Sequence, residues 1–155
     1  MATQTKTLMQ AIAIDAYGGL DKLWLRELPI PEPKADEVRV RVRAAGVGIW
    51  DAMQRTGAFP PDHESFPMIV GAECSGTIDA IGVNLRGPLH VGDEVYTYFY
   101  GDGGAYAQFV CVKGDYVALK PRISRFLKRP PFRSTELPHT KRSLTDCTSR
   151  PDRPC

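Results

Sequence analysis

Along residues 1–121 the apolar positions recur mostly with a period near two, and glycine, proline and acidic clusters separate them. Short strands joined by turns produce this pattern. The clearest stretch is Val38-Arg39-Val40-Arg41-Val42-Arg43, with valines on one face and arginines on the other. It predicts a half-buried antiparallel strand whose arginines form a solvated face. Upstream, Met9 to Ala16 and Leu23 to Leu28 read as a hairpin across Tyr17-Gly18-Gly19-Leu20, followed by the stiff linker Pro29-Ile30-Pro31-Glu32-Pro33. Downstream, Ile49 to Arg55 reads as a short helix that Gly57 ends and Pro60-Pro61 keeps from resuming. Met68 to Ile81 reads as strand, with Gly71, Gly76 and the flanking Gly82 marking a bend or a close backbone approach. Glu94 to Tyr100, Ala105 to Val112 and Tyr116 to Leu119 complete the strand candidates. Turn signals roughly every 8–12 residues suggest a small barrel, mostly β, with one or two short helices.

Composition limits the classes open to the chain. Its 155 residues are 43% hydrophobic and 25% charged, as in one globular domain or slightly more. No run approaches the roughly 18 apolar residues of a spanning helix, and the amino end lacks a secretory signal's apolar core. A cytoplasmic protein without membrane contact is expected. Cys74, Cys111, Cys147 and Cys155 form no CxxC pair and read as reduced thiols. The net charge of +2 hides an asymmetry: residues 1–121 carry 11 Lys+Arg against 15 Asp+Glu, and residues 122–155 carry 9 against 3. All 14 glycines fall in the first part. A composition break therefore lies at Pro121, and the basic, periodicity-free tail has the composition of a disordered segment. With little aromatic interleaving, that tail does not describe a specific nucleic-acid site.

Four phrases carry the chemistry: Ala45-Gly46-Val47-Gly48-Ile49-Trp50-Asp51, Phe66-Pro67-Met68-Ile69-Val70-Gly71-Ala72-Glu73-Cys74-Ser75-Gly76, Val91-Gly92-Asp93-Glu94-Val95 and Gly104-Ala105-Tyr106-Ala107-Gln108-Phe109. In order and spacing they resemble the medium-chain dehydrogenase/reductase superfamily, specifically its amino-terminal chaperonin-10-like (GroES-like) catalytic domain, over residues 9–121. The resemblance implies a partly open barrel. The superfamily's zinc enzymes carry a cysteine and a histidine where this chain has Gly48 and Ala72, which have no donor atoms for zinc. His63, His90 and His139 show no ligand spacing, so no metal is expected.

What remains resembles the zinc-independent quinone oxidoreductase branch, which moves a hydride from NADPH to a quinone, enone or enal and is often homodimeric. By that resemblance Trp50, Asp51 and Glu73 are the candidate catalytic-pocket residues, and Gly48 and Arg55 the candidate cofactor contacts. Each also has a plainer reading. Trp50 fits a core position, and Asp51 a cap on local amides. For Glu73, an ion pair with an arginine inside the barrel is preferred over a pocket role. Tyr98, Tyr100 and Tyr106 are candidate donors to an acceptor oxygen, though tyrosine is common in strands.

No Gly-x-Gly-x-x-Gly turn occurs, so the resemblance implies a catalytic-domain fragment, truncated before the cofactor domain, inactive alone and poorly soluble. A stand-alone GroES-like binding module is the alternative. For residues 122–155 the leading expectation is an out-of-frame tail, with an authentic divergent tail second. Restoring one nucleotide next to the Pro121 codon, with permitted synonymous codons, gives a helix-periodic segment. It opens on a Ser-Phe-Leu-Glu capping box and ends Lys-Ala-Gly-Gln-Thr-Val, like the turn and strand that open the family's cofactor domain. Sequencing DNA and transcript between the Tyr116 and Arg133 codons is expected to reveal the missing base; the present frame in independent gene copies would refute the shift.

Overall fold

The computed structural model describes residues 7–61, 65–99 and 104–121; the tail expected from Arg122 onward, Tyr100, His63 and His139 lie outside them. The described chain forms two sheets. Strands β1 (Leu8–Ile14), β2 (Trp24–Pro29) and β4 (Met68–Ile69) make a small antiparallel sheet in the order β2-β1-β4. Strands β3 (Glu37–Ala45), β5 (Glu73–Ile81), β6 (Glu94–Tyr98), β7 (Phe109–Lys113) and β8 (Val117–Leu119) make the larger one, in the order β7-β3-β5-β6-β8. Its edges, β7 and β8, are consecutive in the chain and joined by one 3₁₀ turn, Gly114–Tyr116. The sheets stay open, with no ladder joining β7 to β8, so the architecture is mostly β and short of a closed barrel.

Alternation along β3 builds the core. Val38 and Val40 are fully buried and join Ile78, Val95, Phe99, Val110 and Val112 in one apolar cluster. Their burial removes branched side chains from water on the face opposite the arginines, which fixes the register. The arginine face is less uniform than the pattern predicts. Arg41 is exposed, but Arg39 is only 17% exposed, its Nε donating to Asp79 at 2.9 Å and its Nη1 to the Pro31 carbonyl at 3.1 Å. This pair ties β3 to β5 and pins the proline linker. Both guanidinium groups also lie over the Phe109 ring, at 5.1 Å for Arg41 and 5.8 Å for Arg39.

Two glycines show why the Met68 to Ile81 stretch is divided. Gly71 adopts φ 104°, a left-handed conformation that ends β4 before β5 begins. At Gly76 a Cβ would lie 2.2 Å from the Arg41 carbonyl oxygen, so β3 and β5 approach closely only because no side chain intervenes. The Ala105 to Val112 strand is shorter than expected, since β7 begins at Phe109. Residues 105–108 instead span the two sheets: the Ile12 N–H donates to Tyr106 O, the Gln108 N–H to Gln10 O, and the Val42 N–H to Gln108 O.

Ile78 lies at the middle of β5 and is 1% exposed. Ile78→Ala is expected to cost about 2–5 kcal/mol through lost burial and a residual cavity. A urea titration would read this as a lower midpoint with an unchanged slope.

Candidate functional site

Helix α1, Ile49–Thr56, stands between β3 and β4, and its sequence fixes both ends. Gly48 is the N-cap, and Asp51 at the third helical position accepts the Gly48 N–H at 2.7 Å. This supplies half of a capping box and neutralises an orphan donor at the positive end of the helix. Gly57 closes the helix at φ 77°, with its N–H on the Gln54 carbonyl at 3.1 Å. The helix expected from the sequence is present within one residue.

One turn of α1 separates residues that anchor the helix from residues that line a cleft. Asp51 is 8% exposed, and its Oδ2 accepts the Tyr106 O–H at 2.8 Å in addition to the Gly48 N–H. The Arg55 guanidinium donates to the Gly18 carbonyl, and the Gly18 N–H returns a bond to Arg55 O at 3.0 Å. Asp51 and Arg55, four apart, thus tie α1 to Tyr106, in the segment that spans the two sheets, and to the β1–β2 turn. Trp50 and Gln54, also four apart, line a shallow, open surface cleft together with Phe59, Pro60, Pro61, Ala72 and Phe99. The Trp50 and Phe59 rings are 5.7 Å apart. Trp50 is 45% exposed, so it forms a wall of the cleft and is not a core residue.

The remaining candidates fall elsewhere. Glu73 is exposed at the start of β5, because alternation sends Cys74 inward and Glu73 outward. Its expected burial is therefore corrected, and among the described residues it makes no ion pair with an arginine. Its carboxylate lies over Gly46, where a Cβ would meet Glu73 Oε1 at 2.1 Å. Gly48 meets no such obstacle, since a Cβ there finds nothing within 4 Å, and its N–H is occupied by Asp51. The structure thus brings Gly48, Trp50 and Asp51 together, and places Arg55 on the Gly18 turn and Glu73 on the outer sheet face. Tyr98 is half-exposed opposite Glu73, and Tyr106 has its hydroxyl committed to Asp51.

Sequence reasoning missed Gln54. Its Oε1 accepts the Gly71 N–H at 3.3 Å while the side chain lines the cleft. The i, i+4 spacing from Trp50 was the available signal. The positions of zinc ligands in the resembling enzymes hold Gly48 and Ala72, and among the described residues no group of three or more His, Cys, Asp or Glu is assembled for a metal.

A strand-built body with a short capped helix beside a surface cleft is the architecture of a GroES-like domain. The chain belongs to the alcohol dehydrogenase GroES-like domain family of the medium-chain dehydrogenase/reductase superfamily, with the family pattern matching residues 34–122. It is 33% identical to the mouse (Mus musculus) synaptic vesicle membrane protein VAT-1 homolog-like over 124 residues, covering 80% of this chain and 29% of that protein. It is 31% identical to the chloroplastic NADPH-dependent alkenal/one oxidoreductase of Arabidopsis thaliana over 122 residues, covering 74% of this chain and 31% of that protein. Among solved structures, the Escherichia coli quinone oxidoreductase complexed with NADPH superposes with a TM-score of 0.66 at 27% identity, covering 72% of this chain and 33% of that one. The chain spans about a third of the length of these relatives.

Burial sets the pH response of this body. It pushes the Cys74 thiol up from 9.0 to about 11. Burial and the neighbouring Asp51 carboxylate also raise the Tyr106 phenol above its ordinary 10.0. The unfolded chain releases these protons first, so Cys74 contributes stability fully below about pH 9 and loses it as pH rises through about 11, while Tyr106 begins to lose its contribution only above about pH 10. Urea midpoints are expected to fall over that window, and Cys74→Ala and Tyr106→Phe should each flatten the decline.

Proposed function

We propose that residues 9–121 form the acceptor-binding domain of an NADPH-dependent oxidoreductase that reduces a quinone or an α,β-unsaturated carbonyl compound without zinc. The observation that carries this reading is the cleft itself. Trp50, Phe59 and Phe99 supply flat apolar walls, and Ala72 stands where a zinc enzyme has an imidazole. Such a pocket suits a planar, uncharged acceptor and leaves only a few polar groups to orient it. The relatives whose names specify a quinone or an alkenal/one acceptor point to the same chemistry.

The described residues do not by themselves fit a dinucleotide. They include one α-helix, and a carboxylate already occupies its amino-terminal N–H. A pyrophosphate there would meet the Asp51 carboxylate, a like charge at the helix end that otherwise favours anions. NADPH supplies a hydride when it is held by a cofactor domain; this domain contributes the walls of the acceptor cleft and the exclusion of water. Just before Trp50 in the chain, Val47 at 86% and Ile49 at 68% exposed suit cover by the rest of an enzyme of this family. We further propose that the 155-residue chain alone does not turn over substrate, and that the whole enzyme works in the cytosol as a homodimer. Among the described residues no helix is long and apolar enough to cross a membrane.

The 155-residue chain with Trp24→Phe retains Trp50 as its one tryptophan. Duroquinone, whose methyl groups block addition of thiols, is expected to quench Trp50 fluorescence to saturation, whereas NADPH titrated alone should produce no saturable change. Saturable NADPH binding with turnover would contradict the division of labour, and an absence of duroquinone binding would contradict the acceptor reading.

A further inference from the structure

Among the residues lining the cleft, Gln54 alone carries a carboxamide, and its orientation is set from outside the cleft. Gly71 adopts φ 104° between β4 and β5, and its N–H donates to Gln54 Oε1 at 3.3 Å. An N–H must be received by an oxygen, so this contact determines which end of the amide faces Gly71. The –NH₂ end is therefore the other one, with two donors and no acceptor. Tyr106 and Ala105 crowd the position a Gly71 Cβ would take, at 2.6 Å and 3.1 Å, so the turn that presents this N–H has no room for a larger residue. The carboxamide is held by a fixed backbone group on one side and borders an apolar cleft on the other.

We propose that the Gln54 –NH₂ donates a hydrogen bond to a carbonyl oxygen of the acceptor, making Gln54 the residue that selects carbonyl compounds over hydrocarbons of the same shape. This rests on the reading of the cleft as the acceptor pocket. In an apolar site, one such donor discriminates because a carbonyl left unpaired there has lost its water. The same donor faces the oxygen on which negative charge grows when a hydride reaches the ring or the β-carbon, so it binds the reduced, enolate-like form more strongly than the starting carbonyl. The indole N–H of Trp50 is the other side-chain donor type in the lining, but no hydrogen bond to a described residue fixes its direction.

Gln54→Glu separates the two ends of the amide. A carboxylate oxygen still accepts the Gly71 N–H, so the turn and helix keep their tie, while the donor is lost. Ligand-observed NMR on the 155-residue chain would compare duroquinone with durene, its carbonyl-free hydrocarbon, for the wild type, Gln54→Glu and Trp50→Phe. The wild type is expected to prefer duroquinone, and Gln54→Glu to reduce that preference by about 5- to 10-fold, the range of one neutral hydrogen bond. Durene binding should change less than duroquinone binding. A preference that survives Gln54→Glu, or one removed only by Trp50→Phe, overturns the role of Gln54 while leaving the acceptor pocket intact. A wild type that binds neither compound overturns the pocket and the donor together.

Discussion

The site depends on one buried carboxylate. Asp51 accepts the amide of its own N-cap and the hydroxyl of Tyr106, and these two bonds belong to different parts of the chain. The first fixes where an eight-residue helix begins, and the second fixes where that helix lies. A helix this short is marginal by itself, so its placement comes from tertiary ties. Tyr106 is suited to provide one, because its backbone is bonded to Ile12 and Val70 in the smaller sheet's neighbourhood. Removing either partner would leave a desolvated polar group, a cost that holds the arrangement in a single state. The direction of Trp50 and Gln54 into the cleft follows from this anchoring.

Division of labour along α1 is therefore a matter of periodicity. Positions 51 and 55 reach the body of the protein, while positions 50 and 54 reach the cleft. Gln54 does both, since its carboxamide also accepts the Gly71 N–H. The short loop to β3 contributes in a different way: Gly46 leaves room for the Glu73 side chain, and Gly48 leaves room for nothing that is present among the described residues. These neighbouring glycines thus have different reasons for lacking a side chain, one steric and one not.

Much of the fold was legible because it rests on local signals. The Val-Arg alternation gave β3, the paired glycines and prolines gave the β1–β2 turn and linker, and Gly57 gave the end of α1. Gly92 at φ 97° and Asp93 accepting the His90 N–H at 2.8 Å form the turn that leads into β6. The errors concern partners distant in sequence. Arg39 could be placed on a solvated face by alternation, but its bond to Asp79 spans 40 residues and is invisible to periodicity. Glu73 was assigned to the interior by family likeness, whereas the strand's phase sends it outward. Gln54 was overlooked because its significance comes from Gly71, a residue 17 positions away whose backbone conformation no local pattern specifies.

The two edges of the larger sheet are successive strands, separated by a single 3₁₀ turn. Bringing such edges near each other requires almost no additional loop closure, so the seam costs the chain little entropy to assemble. The same economy leaves it weakly secured, since no ladder of backbone bonds crosses from β7 to β8. The β3–β5 pairing and the anchored helix draw on no bond across that line. A sheet ordered in this way sets its two open edges next to each other in the chain, on either side of the Gly114–Tyr116 turn.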